Sequence, residues 1–193
     1  MSGGTDLAIV AFSSAKEWRR WLAEHHVRSN EVWLRLFKSA SAVPTVSYEE
    51  ALDEALCYGW IDGQLKTYDE ESWLRKFTPR RPKSVWSKRN REHAERLTKA
   101  GNMRAAGLKE VDAAKQDGRW KAAYDPPGKM TVPSDFRREL AKNKRAKAFF
   151  ETLSRANVYA IAWRLQTAKT PETRQRRLEA ILAMLAKEQK FHG

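Results

Sequence analysis

The residue types best suited to chemistry are concentrated in one basic segment, which runs from Arg75 to Arg104. This segment holds eleven Lys or Arg residues against two acids. The stretch just before it, from Glu49 to Glu71, has the opposite balance, with eight acids against one lysine. Charge that is segregated in this way along a chain indicates a surface that meets a charged partner.

The densest candidate site for binding an anion lies inside the basic segment. Two arginines leave a predicted strand, and two serines stand where a predicted helix begins. The free backbone amides of a helix start, flanked by Arg and Ser, form a cradle for phosphate or carboxylate, and a neighbouring tryptophan can stack on a base or an aromatic ligand. The candidate ligand-binding residues are Arg80, Arg81, Ser84, Trp86, Ser87 and Asn90, with Trp60, Asp62 and Lys76 in supporting positions. The alternative is two capping serines, a core tryptophan and a solvated cationic helix.

Asp62 is the carboxylate with the clearest candidate role. It precedes Gly63 at the start of a predicted strand, and a position near Arg80 or Arg81 would allow a bidentate ion pair that orients a guanidinium. The alternative is a turn residue with no further role. An enzyme that uses Asp62 or Glu70 as a general acid or base beside Arg80 is the lowest-ranked hypothesis for this chain.

Signatures of other catalytic classes are absent from the sequence. No HExxH, Walker A, GxSxG or GxGxxG motif occurs. The four histidines show no metal-ligand spacing with one another or with Cys57, so we expect neither a metal nor a cofactor. Cys57 lies near the C-terminal end of an acidic helix, where the helix dipole disfavours a thiolate, so a core position is favoured over a nucleophile.

Composition bounds the partners and the compartment. A formal net charge of +13 predicts attraction to polyanions, so nucleic acid is an alternative partner to an anionic small molecule or an acidic protein. A merely solvated basic surface has the same composition. A single cysteine excludes an internal disulfide and suits a reducing compartment. Without an apolar run of about 18 residues or a secretory leader, we expect a cytoplasmic protein with no transmembrane segment; the oligomeric state is left open.

The elements that would position these residues belong to an α+β fold. We predict a small antiparallel sheet with flanking helices in residues 1–120 and a helical part in residues 121–193, packed on the first as one unit. Capping boxes at Ser14–Glu17 and Ser47–Glu50 predict helix starts, and Gly101 predicts the end of a third helix. Strands are predicted at 31–37, 60–63 and 72–78, with a short one at 7–12, and C-terminal helices at 134–140, 142–153, 157–167 and 171–187.

Several motifs carry a family resemblance. These are ALCYGWIDGQ at 55–64, KFTPRRP at 76–82, SVWSKRN at 84–90, and the segment 156–178 that begins ANVYAIAW. Together, and in this order, they resemble the YdeI/OmpD-associated, or bacteriocin-protection, family over Phe12 to His192. Lys76 stands where that family usually has arginine, which keeps the charge but loses the bidentate fork. Val158 stands where arginine is common.

The resemblance implies a stress-tolerance role against bacteriocins or cationic antimicrobial peptides, with no established reaction or catalytic residues. The net charge disfavours direct binding of a cationic peptide, because a protein with a charge of +13 repels such peptides. Only the acidic run from Glu49 to Glu71 offers a surface for one. Binding of an anionic small molecule or partner in the cytoplasm fits the charge better.

Overall fold

The computed structural model describes residues 9–126 and 128–192. The chain divides into two compact units. The first comprises the residues up to Ser84 together with Asn90–Lys121, and the second comprises Val85–Arg89 together with the residues from Ala122 onward. The sequence boundary predicted at residue 120 lies one residue before the point at which the chain enters the second unit for good.

The first unit is built on a four-stranded sheet in the order β1-β2-β4-β3. Its elements are β1 (Ile9–Ala11), α1 (Ala15–His25), β2 (Val32–Phe37), α2 (Tyr48–Cys57), β3 (Trp60–Thr67), β4 (Ser72–Pro79), α3 (Lys88–Lys99, whose first two residues group with the second unit) and α4 (Ala105–Gln116). The predicted α+β class is confirmed. The sheet is mixed rather than purely antiparallel, because β1 pairs parallel to β2; the helix α1 makes the crossover that a parallel pair needs.

The core of the first unit lies between the sheet and its helices. Val32 on β2 pairs with Phe77 on β4, and both side chains are fully buried. The indole of Trp18 on α1 lies 5.5 Å from the Phe77 ring and donates from Nε1 to the carbonyl of Ala51 at 3.0 Å. Trp18 and its neighbour Trp21 stack at 5.2 Å. Trp18 therefore joins α1 both to the sheet and to α2.

The serines of the two predicted capping boxes, Ser14 and Ser47, are the N-caps of α1 and α2. Ser47 and Glu50 form the complete reciprocal box at the start of α2. At the start of α1, Ser14 accepts from the N–H of Glu17, but the Glu17 carboxylate reaches back to Ser13 rather than Ser14. The first turn is therefore closed by two serines where the sequence predicted one.

A glycine in α4 allows that helix to approach the end of α2 closely. A Cβ on Gly107 would lie 2.4 Å from the carbonyl oxygen of Cys57 and 2.6 Å from that of Leu56. Both atoms are backbone at the end of α2, so they cannot rotate away. Gly59, just after α2, has a φ of +74° and also faces α4 through the carbonyl of Ala106.

We predict that Gly107→Ala destabilises the protein although alanine is the better helix former. The overlap with α2 forces the helices apart and outweighs a propensity gain of about 1 kcal/mol, so we expect a net loss of about 2 kcal/mol. Chemical denaturation measures this loss. Gly63→Ala is the control, because its Cβ would meet nothing closer than 3.7 Å; equal stability of the two variants would contradict the close approach.

The second unit is helical, as predicted. Its helices are α5 (Ser134–Leu140), α6 (Lys144–Glu151), α7 (Arg155–Gln166) and α8 (Pro171–Ala186). Thr170 caps α8 by accepting from the N–H of Thr173, with Pro171 following in the first turn. Leu178, Ile181 and Leu185 of α8 are buried in a cluster that includes Phe136 and Ile161. These α8 residues recur at helical spacing and form the face of α8 that packs into this core, with Leu182 partly buried beside them.

The end of the chain is attached to α7 by one buried side chain. Asn157 is 2 % exposed, and its Oδ1 accepts from the backbone N–H groups of Phe191 and His192, both at 3.0 Å. Its Nδ2 donates to the carbonyl of His192 at 3.3 Å and to Ser154 Oγ at 3.1 Å. One amide therefore fixes the position of the segment that follows α8.

Candidate functional site

The two arginines after β4 have different environments. Arg80 is only 5 % exposed; its N–H donates to the carbonyl of Gly59 at 2.9 Å, and its Nη1 donates to Ser84 Oγ at 3.3 Å. Arg81 is exposed. Of the predicted pair, Arg80 is therefore built into the first unit, and Arg81 presents its guanidinium to solvent.

A third arginine joins this segment from far along the chain. Arg119 Nη1 donates to the carbonyl of Ser84 at 2.8 Å, while its Nε contacts both carboxylate oxygens of Asp117 at 2.8 and 2.7 Å. The N–H of Ser84 donates to the carbonyl of Arg81 at 3.1 Å, closing a turn in which Lys83 has a φ of 60°. Sequence reasoning missed Arg119 because 35 positions separate it from its partner.

Trp86 and Ser87 group with the second unit. Trp86 is 2 % exposed, and its carbonyl accepts from the N–H of Tyr124 at 3.0 Å. Ser87 forms a parallel bridge with Tyr124. The indole is thus buried, as the core alternative expects, and has no open face for stacking. Asn90 in α3 is buried as well, at 6 % exposed.

The structure brings Arg80 and Ser84 into contact. The gathering of all six predicted residues around one ligand stays a prediction, since they are distributed between the two units. The predicted helix start is confirmed: α3 begins at Lys88, directly after Ser87, and ends at Lys99 shortly before Gly101, which has a φ of +72°.

Asp62 pairs with Arg75, whereas the sequence predicted Arg80 or Arg81 as its partner. Its Oδ2 accepts from the Tyr48 hydroxyl at 2.8 Å and lies 3.5 Å from Arg75 Nη2. The strand register explains the change, because Asp62 lies opposite Phe77 and Arg75 is the diagonal neighbour on the same face. Arg80 lies beyond that point, where its N–H donates to the carbonyl of Gly59. The ion pair that the structure gives Asp62 is therefore with Arg75, where the sequence predicted Arg80 or Arg81.

Arg75 is held on the sheet by several contacts besides Asp62. Its Cζ lies 4.7 Å from the centroid of the Tyr48 ring and 5.9 Å from that of Trp73, and its Nη1 donates to the carbonyl of Gly63 at 2.9 Å. With Asp62, these contacts fix the guanidinium on three sides. These contacts stabilise the packing of α2 against the sheet, and they engage the Asp62 carboxylate in internal interactions.

The other supporting residues have structural partners. Trp60 is 1 % exposed and donates from Nε1 to the carbonyl of His26 at 3.2 Å. Lys76 forms an ion pair with Glu31, and its Nζ lies 5.7 Å from the centroid of the Trp33 ring. Each of the two side chains therefore connects its strand to a neighbouring part of the first unit.

The acidic run contributes most of its carboxylates to internal contacts. Glu50 caps α2, and its hydrogen bonds from Ser47 lower the pKa of Glu50. Glu54 accepts from Arg19 Nε at 2.8 Å, which raises the pKa of that arginine. Asp69 accepts from Ser72 Oγ, which lowers the pKa of Asp69.

Asp53 anchors a cluster that sequence reasoning did not find. Its carboxylate contacts Arg96 Nη2 at 2.6 and 2.7 Å, and its Oδ1 lies 2.7 Å from His93 Nδ1. The opposite ring nitrogen of His93 is 3.6 Å from Glu49 Oε2. A signal existed, because Glu49 and Asp53 are one turn apart on α2 and His93 and Arg96 are one turn apart on α3.

Cys57 is buried at the end of α2, 3 % exposed. Burial, with smaller contributions from Glu54 and Asp53, raises the pKa of the thiol to about 12. A nucleophilic cysteine needs the opposite shift. The environment agrees with the core position favoured by the sequence.

We predict that Cys57 of the folded protein resists iodoacetamide at about pH 8, where an unshifted thiol is partly ionised. Denaturation in guanidinium chloride should restore rapid alkylation, which mass spectrometry measures as the carbamidomethyl adduct. Because the thiolate fraction of the folded state is lower by about three orders of magnitude, similar rates in both states would contradict this environment.

Neither a metal-binding cluster nor a membrane-spanning helix is present among the described residues. Within 9–126 and 128–192, no group of three or more His, Cys, Asp or Glu side chains is arranged to hold a metal ion. Among the helices of the same residues, none combines the length and the apolarity needed to cross a bilayer.

Comparisons with known proteins divide the chain into two matched segments. Residues 10–110 match a family described as a domain of unknown function (DUF8412). Residues 129–188 match the family described as bacteriocin-protection, YdeI or OmpD-associated. No curated protein and no solved structure gave a match.

The second match confirms the resemblance stated from the sequence over residues 129–188, which include the motif at 156–178. The motifs at 55–64, 76–82 and 84–90 lie outside this match and within the first one. It indicates a function like that of bacteriocin-protection proteins. The chain therefore belongs to the DUF8412 domain family, whose model covers just over half of it, and its C-terminal part carries the segment of the bacteriocin-protection, YdeI or OmpD-associated family.

Proposed function

We propose that this chain is a cytoplasmic stress-tolerance protein that protects against bacteriocins or antimicrobial peptides by binding an anionic small molecule or an acidic partner. The binding region is residues Arg80–Asn90 of the basic segment, in which Arg81 has an exposed guanidinium. In this proposal the protein does not capture the cationic peptide itself.

The observation that carries the proposal is the internal use of the acidic run. Glu49 lies 3.6 Å from His93, and five more of the eight acids accept hydrogen bonds from side chains of the first unit: Glu50, Asp53, Glu54, Asp62 and Asp69. A carboxylate already bound to arginine or serine gains little from a second cation. The run is therefore a poor surface for a cationic peptide.

The basic residues after residue 121 are less often engaged in ion pairs. From residue 122 onward the sequence has fifteen Lys or Arg residues against seven acids, a surplus of eight out of the total of thirteen. In the part of this stretch that the structure describes, several exposed cations form no ion pair, among them Arg137, Lys144, Arg155 and Arg176. The charge that the protein presents to solvent is positive, and it attracts anions.

Arg81 provides the direct test. We predict that Arg81→Gln weakens binding of the best ligand from a panel of nucleotides and sugar phosphates about tenfold, the loss of one charge-assisted hydrogen bond. The melting temperature should stay unchanged, because Arg81 is exposed. Calorimetric titration measures the affinity.

The controls separate binding from folding. Arg28→Gln removes an exposed arginine of the first unit outside the basic segment and should leave the affinity unchanged. Arg80→Gln removes a buried cation, so it should lower the melting temperature. Ligand binding that Arg81→Gln does not alter, or tight binding of a decalysine peptide by the wild-type protein, would remove the proposal.

Nucleic acid is the second candidate, and the surplus of eight positive charges after residue 121 favours it. Neutralisation of several phosphates gives a steep fall of log affinity with log salt concentration. A filter-binding titration of single-stranded RNA at several salt concentrations distinguishes the candidates. A steep slope together with weak binding of the small anions would replace the first proposal by this one.

A further inference from the structure

The second unit contains an apolar cleft between α7 and α8. Its volume is about 420 Å³, within the range of small-molecule sites, roughly 300–1,000 Å³. Trp163, Ile181, Met184 and Phe191 supply apolar walls, and Arg164 and Arg177 complete the lining. We refer to this space as the α7–α8 cleft.

The two arginines of the cleft are held by backbone carbonyls rather than by carboxylates. Arg177 Nη1 donates to the carbonyl of Arg164 at 2.7 Å, and Arg164 Nη1 donates to that of Ala160 at 3.1 Å. Both side chains are half-buried. Among the described residues, neither has an acidic partner at ion-pair distance. Two positive charges are therefore fixed beside apolar surface without a compensating negative charge.

The wall formed by Phe191 is held in place. The Arg164 Cζ lies 3.8 Å from the centroid of the Phe191 ring, and the N–H of Phe191 donates to the buried amide of Asn157. The ring is therefore fixed both through its face and through its backbone. A cleft whose wall is already ordered loses less entropy when a ligand binds.

We propose that the α7–α8 cleft binds an amphiphilic anion. The apolar chain or ring of the ligand occupies the space between Trp163 and Met184, and its single carboxylate or phosphate head meets Arg164 and Arg177. Guanidinium groups match such heads with paired hydrogen bonds. The residues of this site all lie in the second unit, and none of them belongs to the binding region Arg80–Asn90. The proposal therefore goes beyond the function proposed above.

The apolar walls also distinguish this ligand from a polyanion. A nucleic acid strand needs a groove that is positive along its length, with open aromatic faces. The α7–α8 cleft instead has an apolar interior and two charged groups. A ligand with one charged end and one apolar end satisfies both parts of the cleft.

Calorimetric titration of the full chain with four ten-carbon probes tests the proposal: decanoate, decyl phosphate, decanol and decyltrimethylammonium. The three ionic probes are used below their micellar concentrations and decanol below its solubility limit. We expect decanoate or decyl phosphate to bind at least about tenfold more tightly than decanol. The tighter of the two anions identifies the head group. The cation should not bind, and equal affinity for all four probes would overturn the proposal.

Arginine variants locate the head group. Arg164→Gln and Arg177→Gln should each weaken binding of the anionic probe about tenfold and leave that of decanol unchanged. Arg176→Gln is the matched control, because Arg176 is the exposed neighbour on α8 and does not line the cleft. An equal effect of all three variants would overturn the assignment, since it would report net charge alone.

A filling variant keeps the test valid if an arginine variant folds poorly. Ala180 lines the cleft from an exposed position on α8, and leucine is a strong helix former. Ala180→Leu should therefore fold normally and lose binding of decanoate, decyl phosphate and decanol together. Wild-type affinity for decanoate in this variant would overturn the proposal.

Discussion

Asp53 lies on α2 between two groups of α3, with Arg96 at 2.6 Å and His93 at 2.7 Å. The strong hydrogen bond to Asp53 raises the pKa of Arg96 above its ordinary value. Pairs with arginine engage four of the eight acids of the acidic run within the first unit. The charges that remain exposed to solvent are therefore mainly those of basic residues. The anion-binding proposals depend on this positive surface.

Local features of the fold could be predicted from the sequence because they depend on neighbours along the chain. The capping box at Ser47 and the stripe of Leu178, Ile181 and Leu185 are set within a few residues, and both are present. The sheet was harder to predict. The parallel addition of β1 and the bulge after Asp62 are set by tertiary packing, and sequence spacing alone does not report them.

The candidate site shows the same division. A basic cluster after β4 was visible in composition, but composition cannot separate an exposed Arg81 from a buried Arg80. The partner of Asp62 depended on strand register, which selected Arg75. Arg119 reaches Ser84 from a distant loop that carries no motif. Long-range geometry therefore determines which cations remain available to a ligand.

The hydrogen bonds of Asn157 make Phe191 and His192 part of the second unit. A protease that removed the segment from Phe191 onward would leave the buried Asn157 amide without the backbone partners of that segment. The same cut would take away one wall of the α7–α8 cleft. Loss of this segment would thus alter α7 and the cleft together.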